Sequence, residues 1–383
     1  MTRSVEVIVT SRYPGDYPGG LERVATAQAE GLAALRSDWT VSRIHAFRAK
    51  KGIAALPVVG DLVAAVSLSV KLIVRGDVFL VNGAEYAGAI SCVARIRRKA
   101  VLVVWHGVRS AETRSRFPGA SYRWRLARLA TFLSGVLQGF ALRSARTIAV
   151  GPNVASEIRS TYGYDGPIDV IPNGIWSSES IDPVAREERG TVTPASLDDE
   201  VDSSDTLRLL WVGSGGAWQK GLDIAIEACG GLVEAGVKFS LTIVGVMHLT
   251  SEWRSSLAFE RIRLVGHVDA SDMERLYRGH HALLVTSRYE ACSIAVLEAL
   301  RAGIPVVGSP SVAWQVGDAG QSVSSNDPSE FVRLILETRS SLLSSSYRGH
   351  ALKRSAQFDW SKSLRKYEAV LIDTLARNDV SYM

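Results

Sequence analysis

The sequence predicts an α/β protein built from two doubly wound, Rossmann-like domains facing across a cleft. Strand-like apolar runs alternate with helical patterns from the start, and this order breaks between residues 176 and 205 and then resumes. Glycine-rich or carboxylate-bearing turns fall where strands end. Repeated strand–helix alternation implies parallel strands with helices on both faces, because each crossover carries a helix back over the sheet. At 383 residues, with 46% hydrophobic and 22% charged positions, the chain is long enough for two ordinary cores.

The first domain is expected over residues 1–175. Strands at 5–10, 40–46, 78–81, 101–105, 147–150 and 168–171 alternate with helices near 21–35, 61–74, 87–96, 122–142 and 154–162. Residues 176–206 change to Ser, Glu, Asp, Thr and Pro without apolar periodicity and read as a linker or flexible loop. The second domain is expected over 207–360, with strands at 207–213, 239–245, 262–266, 282–286 and 306–308. Its helices are placed at 222–235, 270–277 and 293–302. In the tail, Leu364, Tyr367, Val370, Leu371 and Leu375 mark one apolar helical stripe.

Composition limits the function classes. Cys92, Cys229 and Cys292 are far apart, with no Cys-x2-Cys pair and no His cluster of ligand spacing, so neither a disulfide framework nor a metal site is expected. The first residues lack the apolar core of a secretory signal, and no stretch reaches the roughly 20 apolar residues of a membrane span. A cytoplasmic location is the expectation. Residues 1–175 hold 23 Lys+Arg against 12 Asp+Glu, whereas the remainder holds 21 against 27. Basic clusters at Arg95, Arg97, Arg98, Lys99 and across Arg114–Arg128, including the amphipathic stretch Tyr122–Leu129, suit an anionic membrane surface at the inner face. A nucleic-acid partner is not expected, because interleaved aromatics and a recognised module are lacking.

Four turns carry the chemistry. Gly19 and Gly20 follow the first strand and let backbone amides approach a phosphate or sugar. Val101–Trp105 ends in His106, at the carboxyl end of a strand, where ligands of such sheets bind. Gly213 to Gly221 combines a glycine loop containing Ser214 with Lys220 at a helix start, a point charge suited to a diphosphate. Ser287-Arg288-Tyr289-Glu290-Ala291-Cys292-Ser293-Ile294 leads into a helix carrying Glu298. Such an arrangement aims helix N–H groups at a phosphorylated ligand while two carboxylates, eight positions apart, bind neutral hydroxyls.

The last segment, with Leu297-Glu298-Ala299-Leu300 and the following Ala-Gly-Ile-Pro-Val-Val, resembles the Glu-x7-Glu motif of retaining GT-B glycosyltransferases, in particular the family-four (glycosyl transferases group 1) type. The resemblance implies a nucleotide-sugar donor, UDP- or GDP-linked, as substrate, with no cofactor and no metal. It implies transfer of a hexose-type sugar, with retention, to a saccharide or lipid-linked acceptor in cell-surface polysaccharide or glycolipid synthesis. By the same resemblance Glu290 meets the hydroxyls of the donated sugar, the N–H groups of Ser293 and Ile294 meet the diphosphate, and Glu298 binds ribose hydroxyls. The loop at Val268 cradles the base, the Gly19-Gly20 turn lines the donor cleft, and His106 touches the transferred sugar. A last helix, about 361–377, crosses back to the first domain, and Pro172-Asn173-Gly174 marks the hinge. Two departures stand out: the family's Gly-Arg is Gly213-Ser214, with Arg288 the candidate replacement cation, and its Gly-Phe-Gly is Ala291-Cys292-Ser293. They leave open a second reading, a catalytically weak or inactive nucleotide-sugar-binding partner of another glycosyltransferase.

Overall fold

The computed structural model describes residues 4–11, 20–45, 67–72, 76–108, 135–136, 138–176, 205–213, 218–246, 253, 256 and 258–380. The chain divides into two compact units, Met1–Gly174 with Trp360–Met383, and Ile175–Asp359. Each is an α/β unit around a six-stranded parallel sheet.

In unit 1, strands β1 (Val5–Ser11), β2 (Trp39–His45), β3 (Val78–Asn82), β4 (Ala100–Trp105), β5 (Arg146–Ala149) and β6 (Ile168–Val170) lie in the order β2-β1-β3-β4-β5-β6. β3 and β4 are buried at every position, as a sheet covered on both faces requires. Helices α1 (Gly20–Leu35), α2 (Ala84–Ile96) and α3 (Pro152–Tyr162) belong to this unit, as does the C-terminal helix Trp360–Val380. That helix buries Trp360, Leu364, Tyr367 and Leu371, spaced by four, three and four residues along one stripe. Its close approach to α1 needs Gly31, where a Cβ would lie 2.2 Å from Leu364 Cδ1.

In unit 2, β7 (Leu207–Val212), β8 (Phe239–Val244), β9 (Ile262–Gly266), β10 (Ala282–Val285), β11 (Val306–Gly308) and β12 (Gly320–Ser322) lie in the order β12-β11-β10-β7-β8-β9. Strand alternation divides the core. Leu207, Leu209, Trp211, Leu241, Ile243 and Leu284 pack on one face with α4 (Leu222–Glu234). Leu210, Val244, Leu283 and Val285 pack on the other, with α5 (Ala270–Gly279) and α6 (Ile294–Ala302).

Unit 2 also continues past the elements expected from sequence, through α7 (Ala313–Val316), β12, α8 (Pro328–Leu343) and α9 (Arg348–Ser355). β12 is Gly-Gln-Ser, with no apolar alternation, and only its ladder with β11 makes it a strand. α8 does carry local signals: Asp327 accepts the Ser329 N–H at 2.9 Å as an N-cap, and Pro328 opens the first turn.

Candidate active site

The strand order reverses between β7 and β10, since β7 leads to β8 on one side while β10 leads to β11 on the other. Loops leaving adjacent strands at such a switch point diverge and leave a crevice at their carboxyl ends. The loop after β7 carries Lys220 and the loop after β10 carries Glu290, so residues 70 apart in sequence become neighbours.

Lys220 Nζ donates to Glu290 Oε1 at 2.7 Å, and Ser287 Oγ donates to the same oxygen at 2.8 Å. The Glu290 side chain is 9% exposed and that of Lys220 31%. The two loops are joined beneath this pair: Thr286 Oγ1 donates to Gly221 O at 2.7 Å and accepts from Trp211 Nε1 at 3.2 Å. Gly221 is obligatory there. Its φ is +67°, and a Cβ would lie 2.0 Å from the Thr286 carbonyl oxygen.

Helix α6 begins just beyond Glu290, with Ser293 as its N-cap residue. Ile294 opens its first turn, where N–H groups have no carbonyl four residues back to bond. The Ser293 N–H already has a partner within the protein. It donates to Gln315 Oε1 at 2.8 Å, and Gln315 Nε2 donates back to Ser293 O at 3.1 Å, so this N–H is committed to holding the turn. Gln315 is fully buried. Glu298 lies one turn further along α6, half-buried, and Tyr277 Oη donates to its Oε2 at 2.9 Å.

Arg288 is engaged within the protein as well. Its guanidinium forms a two-point pair with Asp223, at 2.8 and 2.5 Å, donates to Trp218 O at 2.7 Å and stacks on the Trp218 ring at 3.5 Å. A guanidinium neutralised by a bidentate carboxylate is a poor substitute for a phosphate-binding arginine. It binds the Lys220 loop to the Glu290 loop instead, and its N–H does the same by donating to Gln219 O at 2.8 Å.

In unit 1, His106 follows β4 and meets the end of the adjacent β3, where its Nε2 lies 2.8 Å from Asn82 Oδ1. Asn82 Nδ2 donates to Thr10 O at 3.1 Å and to Gln28 Oε1 at 2.7 Å, which leaves Oδ1 as its acceptor. His106 therefore donates from Nε2 in the neutral tautomer. Burial lowers its pKa to about 4. Gly20 is the first residue of α1, and Val268 lies half-buried after β9. Gly19, Ser214, the basic run from Arg114 to Arg128 and residues 177–204 lie outside the described residues.

Asn82, Asp223, Ser287, Tyr277 and Gln315 are additions to the sequence reading. Ser287, three residues before Glu290, had a local signal, whereas the others are joined to their partners only through the folded sheet. Among the described residues no group of three His, Cys, Asp or Glu side chains is placed to hold a metal ion. No described helix is long and apolar enough to cross a membrane.

A family model described as glycosyl transferases group 1 matches residues 206–340, and one described as glycosyltransferase family 4 matches residues 18–178. Glycogen synthase 2 of Bradyrhizobium diazoefficiens is 29% identical over 255 residues, 64% of this chain and 48% of that protein. An O-antigen chain mannosyltransferase B of Escherichia coli is 34% identical over 105 residues, 26% of this chain and 27% of that one. The chain thus spans about half the length of the first curated relative, or less, where it matches. Among solved structures, sucrose-phosphate synthase from Thermosynechococcus elongatus has a TM-score of 0.74 at 15% identity, covering 97% of this chain and 100% of that one. Anabaena HepE in complex with UDP-glucose has a TM-score of 0.68 at 15% identity, covering 96% and 100%. At such identities these structures speak to the fold alone. Two consecutive family matches, one in each unit, and the paired parallel sheets show that the chain belongs to the GT-B glycosyltransferases of the family-four, group 1 type.

Proposed function

We propose that this protein is a retaining glycosyltransferase that moves a hexose-type sugar from a nucleoside diphosphate sugar to a saccharide or lipid-linked acceptor in cell-surface polysaccharide or glycolipid synthesis. The observation that carries this reading is the Lys220–Glu290 contact at the switch point of the second sheet, beside the N-terminus of α6. An ammonium and first-turn N–H groups such as that of Ile294 would meet the charge developing on the diphosphate leaving group. Glu290 would bind hydroxyls of the donated sugar and Glu298 those of the ribose. In unit 1, His106 would touch the transferred sugar as a fixed neutral imidazole, since its Nε2 proton is already given to Asn82. The leaving oxygen itself can then take the acceptor's proton. The donor reading draws support from relatives named glycogen synthase and O-antigen chain mannosyltransferase and from a fold neighbour solved with UDP-glucose.

Catalysis in this scheme rests on positioning and on Lys220 with helix amides, and it is proposed to need no metal. Turnover of a panel of UDP-, GDP- and ADP-sugars with membrane extract, in the presence of EDTA, tests it. Product with the donor's anomeric configuration by NMR supports retention, and inverted product overturns it. The commitment of Arg288 to Asp223 gives the second reading, nucleotide-sugar binding without turnover, its one structural support. Donor binding by calorimetry without product from any pair in the panel would favour it.

A membrane-facing role is proposed for unit 1, consistent with a cytoplasmic enzyme peripheral to the inner face. Ile96, 81% exposed, projects among exposed Arg95, Arg97 and Arg98 at the end of α2. Such an apolar residue in a basic collar suits anionic lipid headgroups. Sedimentation with anionic vesicles but not neutral ones is expected, and equal partitioning would contradict it.

A further inference from the structure

Glu298 does not stand alone on its helix. Tyr277, on the neighbouring α5, donates its hydroxyl to Glu298 Oε2 at 2.9 Å. The Tyr277 ring is 2% exposed and packs in the core cluster with Val296, Ala299 and Leu300 of α6, the residues flanking Glu298. A buried phenol has few rotamers to choose from, so its hydroxyl is a fixed donor.

The end of α5 that carries Tyr277 is itself fastened to the sheet. His280 lies three residues on, and its N–H donates to Tyr277 O at 3.2 Å. Its Nδ1 lies 2.6 Å from Leu276 O and its Nε2 2.8 Å from Thr242 Oγ1, on β8. A carbonyl can only accept, so Nδ1 carries the proton and Nε2 accepts from the threonine. The next residue, His281, donates its N–H to Arg208 O at 2.8 Å and accepts the Arg208 N–H at its Nδ1 at 2.9 Å. These bonds tie α5 to β7 and β8, and through Tyr277 they reach the carboxylate on α6.

We infer that Tyr277 is a positioning residue that sets the orientation of the Glu298 carboxylate, and through it the selection of ribonucleotide over 2′-deoxyribonucleotide donors. The inference rests on the reading of Glu298 as the ribose-binding carboxylate. A carboxylate can grip a vicinal diol with both oxygens only if its plane is held, and a fixed donor on Oε2 holds it. Without that donor the carboxylate plane is held less tightly, and the bond to a single added hydroxyl loses part of its geometric advantage.

The test uses the full chain and calorimetric affinities for UDP, GDP and ADP and for their 2′-deoxy counterparts, taking the base that binds tightest. The variants are Tyr277→Phe, which removes one oxygen and keeps the packed ring, and Glu298→Gln. Wild type is expected to prefer the ribonucleotide, and Glu298→Gln to lose most of that preference. Tyr277→Phe is expected to reduce the preference about three- to tenfold, with the donor KM raised by a similar factor, kcat nearly unchanged and the melting temperature close to wild type. If Glu298→Gln leaves the preference intact, or no nucleotide binds, the ribose reading of Glu298 is wrong. If Glu298→Gln erases the preference and Tyr277→Phe preserves it, the Tyr277 inference is wrong while the reading stands. A Tyr277→Phe protein that loses melting temperature without changing the preference assigns the hydroxyl a structural role only, which also overturns the inference.

Discussion

Lys220 Nζ and Glu290 Oε1 are 2.7 Å apart, with the carboxylate nearly buried and the ammonium about one-third exposed. The asymmetry matters: the carboxylate is held from below by Ser287, while the ammonium keeps a solvent-facing side from which it can reach an anion. Partial exposure keeps the pair's own contribution to stability small. In the proposed function its value lies in fixing a cation and an acceptor side by side before the donor arrives.

Lys220→Ala is accordingly expected to slow sugar transfer about 100-fold or more, in line with the loss of one group that meets leaving-group charge. Unfolding in urea should show the smaller effect, a loss of about 1–3 kcal/mol, because Ser287 still donates to the Glu290 carboxylate. Equal kcat at saturating donor would remove Lys220 from the phosphate-binding role.

Glu298→Gln should weaken nucleotide-sugar binding by about 1.5–3 kcal/mol, because a charge-assisted bond to ribose becomes a neutral one. Calorimetry with the preferred donor measures this directly. An unchanged Kd would contradict the assignment.

Arg288→Lys should be a poor replacement, since an ammonium can match neither the two-point pair with Asp223 nor the stack on Trp218. A double-mutant cycle with Asp223→Asn should return a coupling of about 1–3 kcal/mol in stability. A cycle with no stability coupling but a large one in kcat would restore Arg288 to the diphosphate.

Gly221→Ala should cost at least about 2 kcal/mol, because the left-handed backbone and the Thr286 carbonyl both exclude a methyl group. Thermal unfolding checks this, and Gly230→Ala, where a Cβ meets nothing within 4 Å, is the control expected to be neutral or stabilising.

Stability should fall as pH drops from about 6.5 to about 4 and be insensitive to these groups above that window. His106, by burial, and His280, by burial opposed in part by its bond to Leu276, have folded pKa values lowered to about 4 from 6.5. Between those values the unfolded chain takes up protons that the folded chain refuses, so acid favours unfolding. Each imidazole should contribute on the order of 1–3 kcal/mol in total across that window. Melting curves across pH 4–8 for the wild type and His280→Asn would show it, the variant having the shallower dependence.

Much of this protein was legible without coordinates, for a physical reason. Strands buried on both faces, such as Val78–Asn82 and Ala100–Trp105, must be apolar throughout, and an amphipathic helix must repeat near 3.6, so local composition reveals both. The string from Ser287 to Glu298 was legible because its turn, first helical turn and two carboxylates are contiguous. β12 was not, since Gly320-Gln321-Ser322 is a strand only by pairing with β11. The bonds made by Arg288 and by the Ser293 N–H were hidden for the same kind of reason. Both groups can bind an anion in isolation, but Asp223 and Gln315, 65 and 22 residues away, take them first. The sequence by itself determined most of the strands and helices before residue 309 and which groups could meet a phosphorylated sugar. Only the tertiary structure decided which of those groups are already bonded within the protein, because hydrogen-bond partners are chosen by distance in space and each donor is spent once.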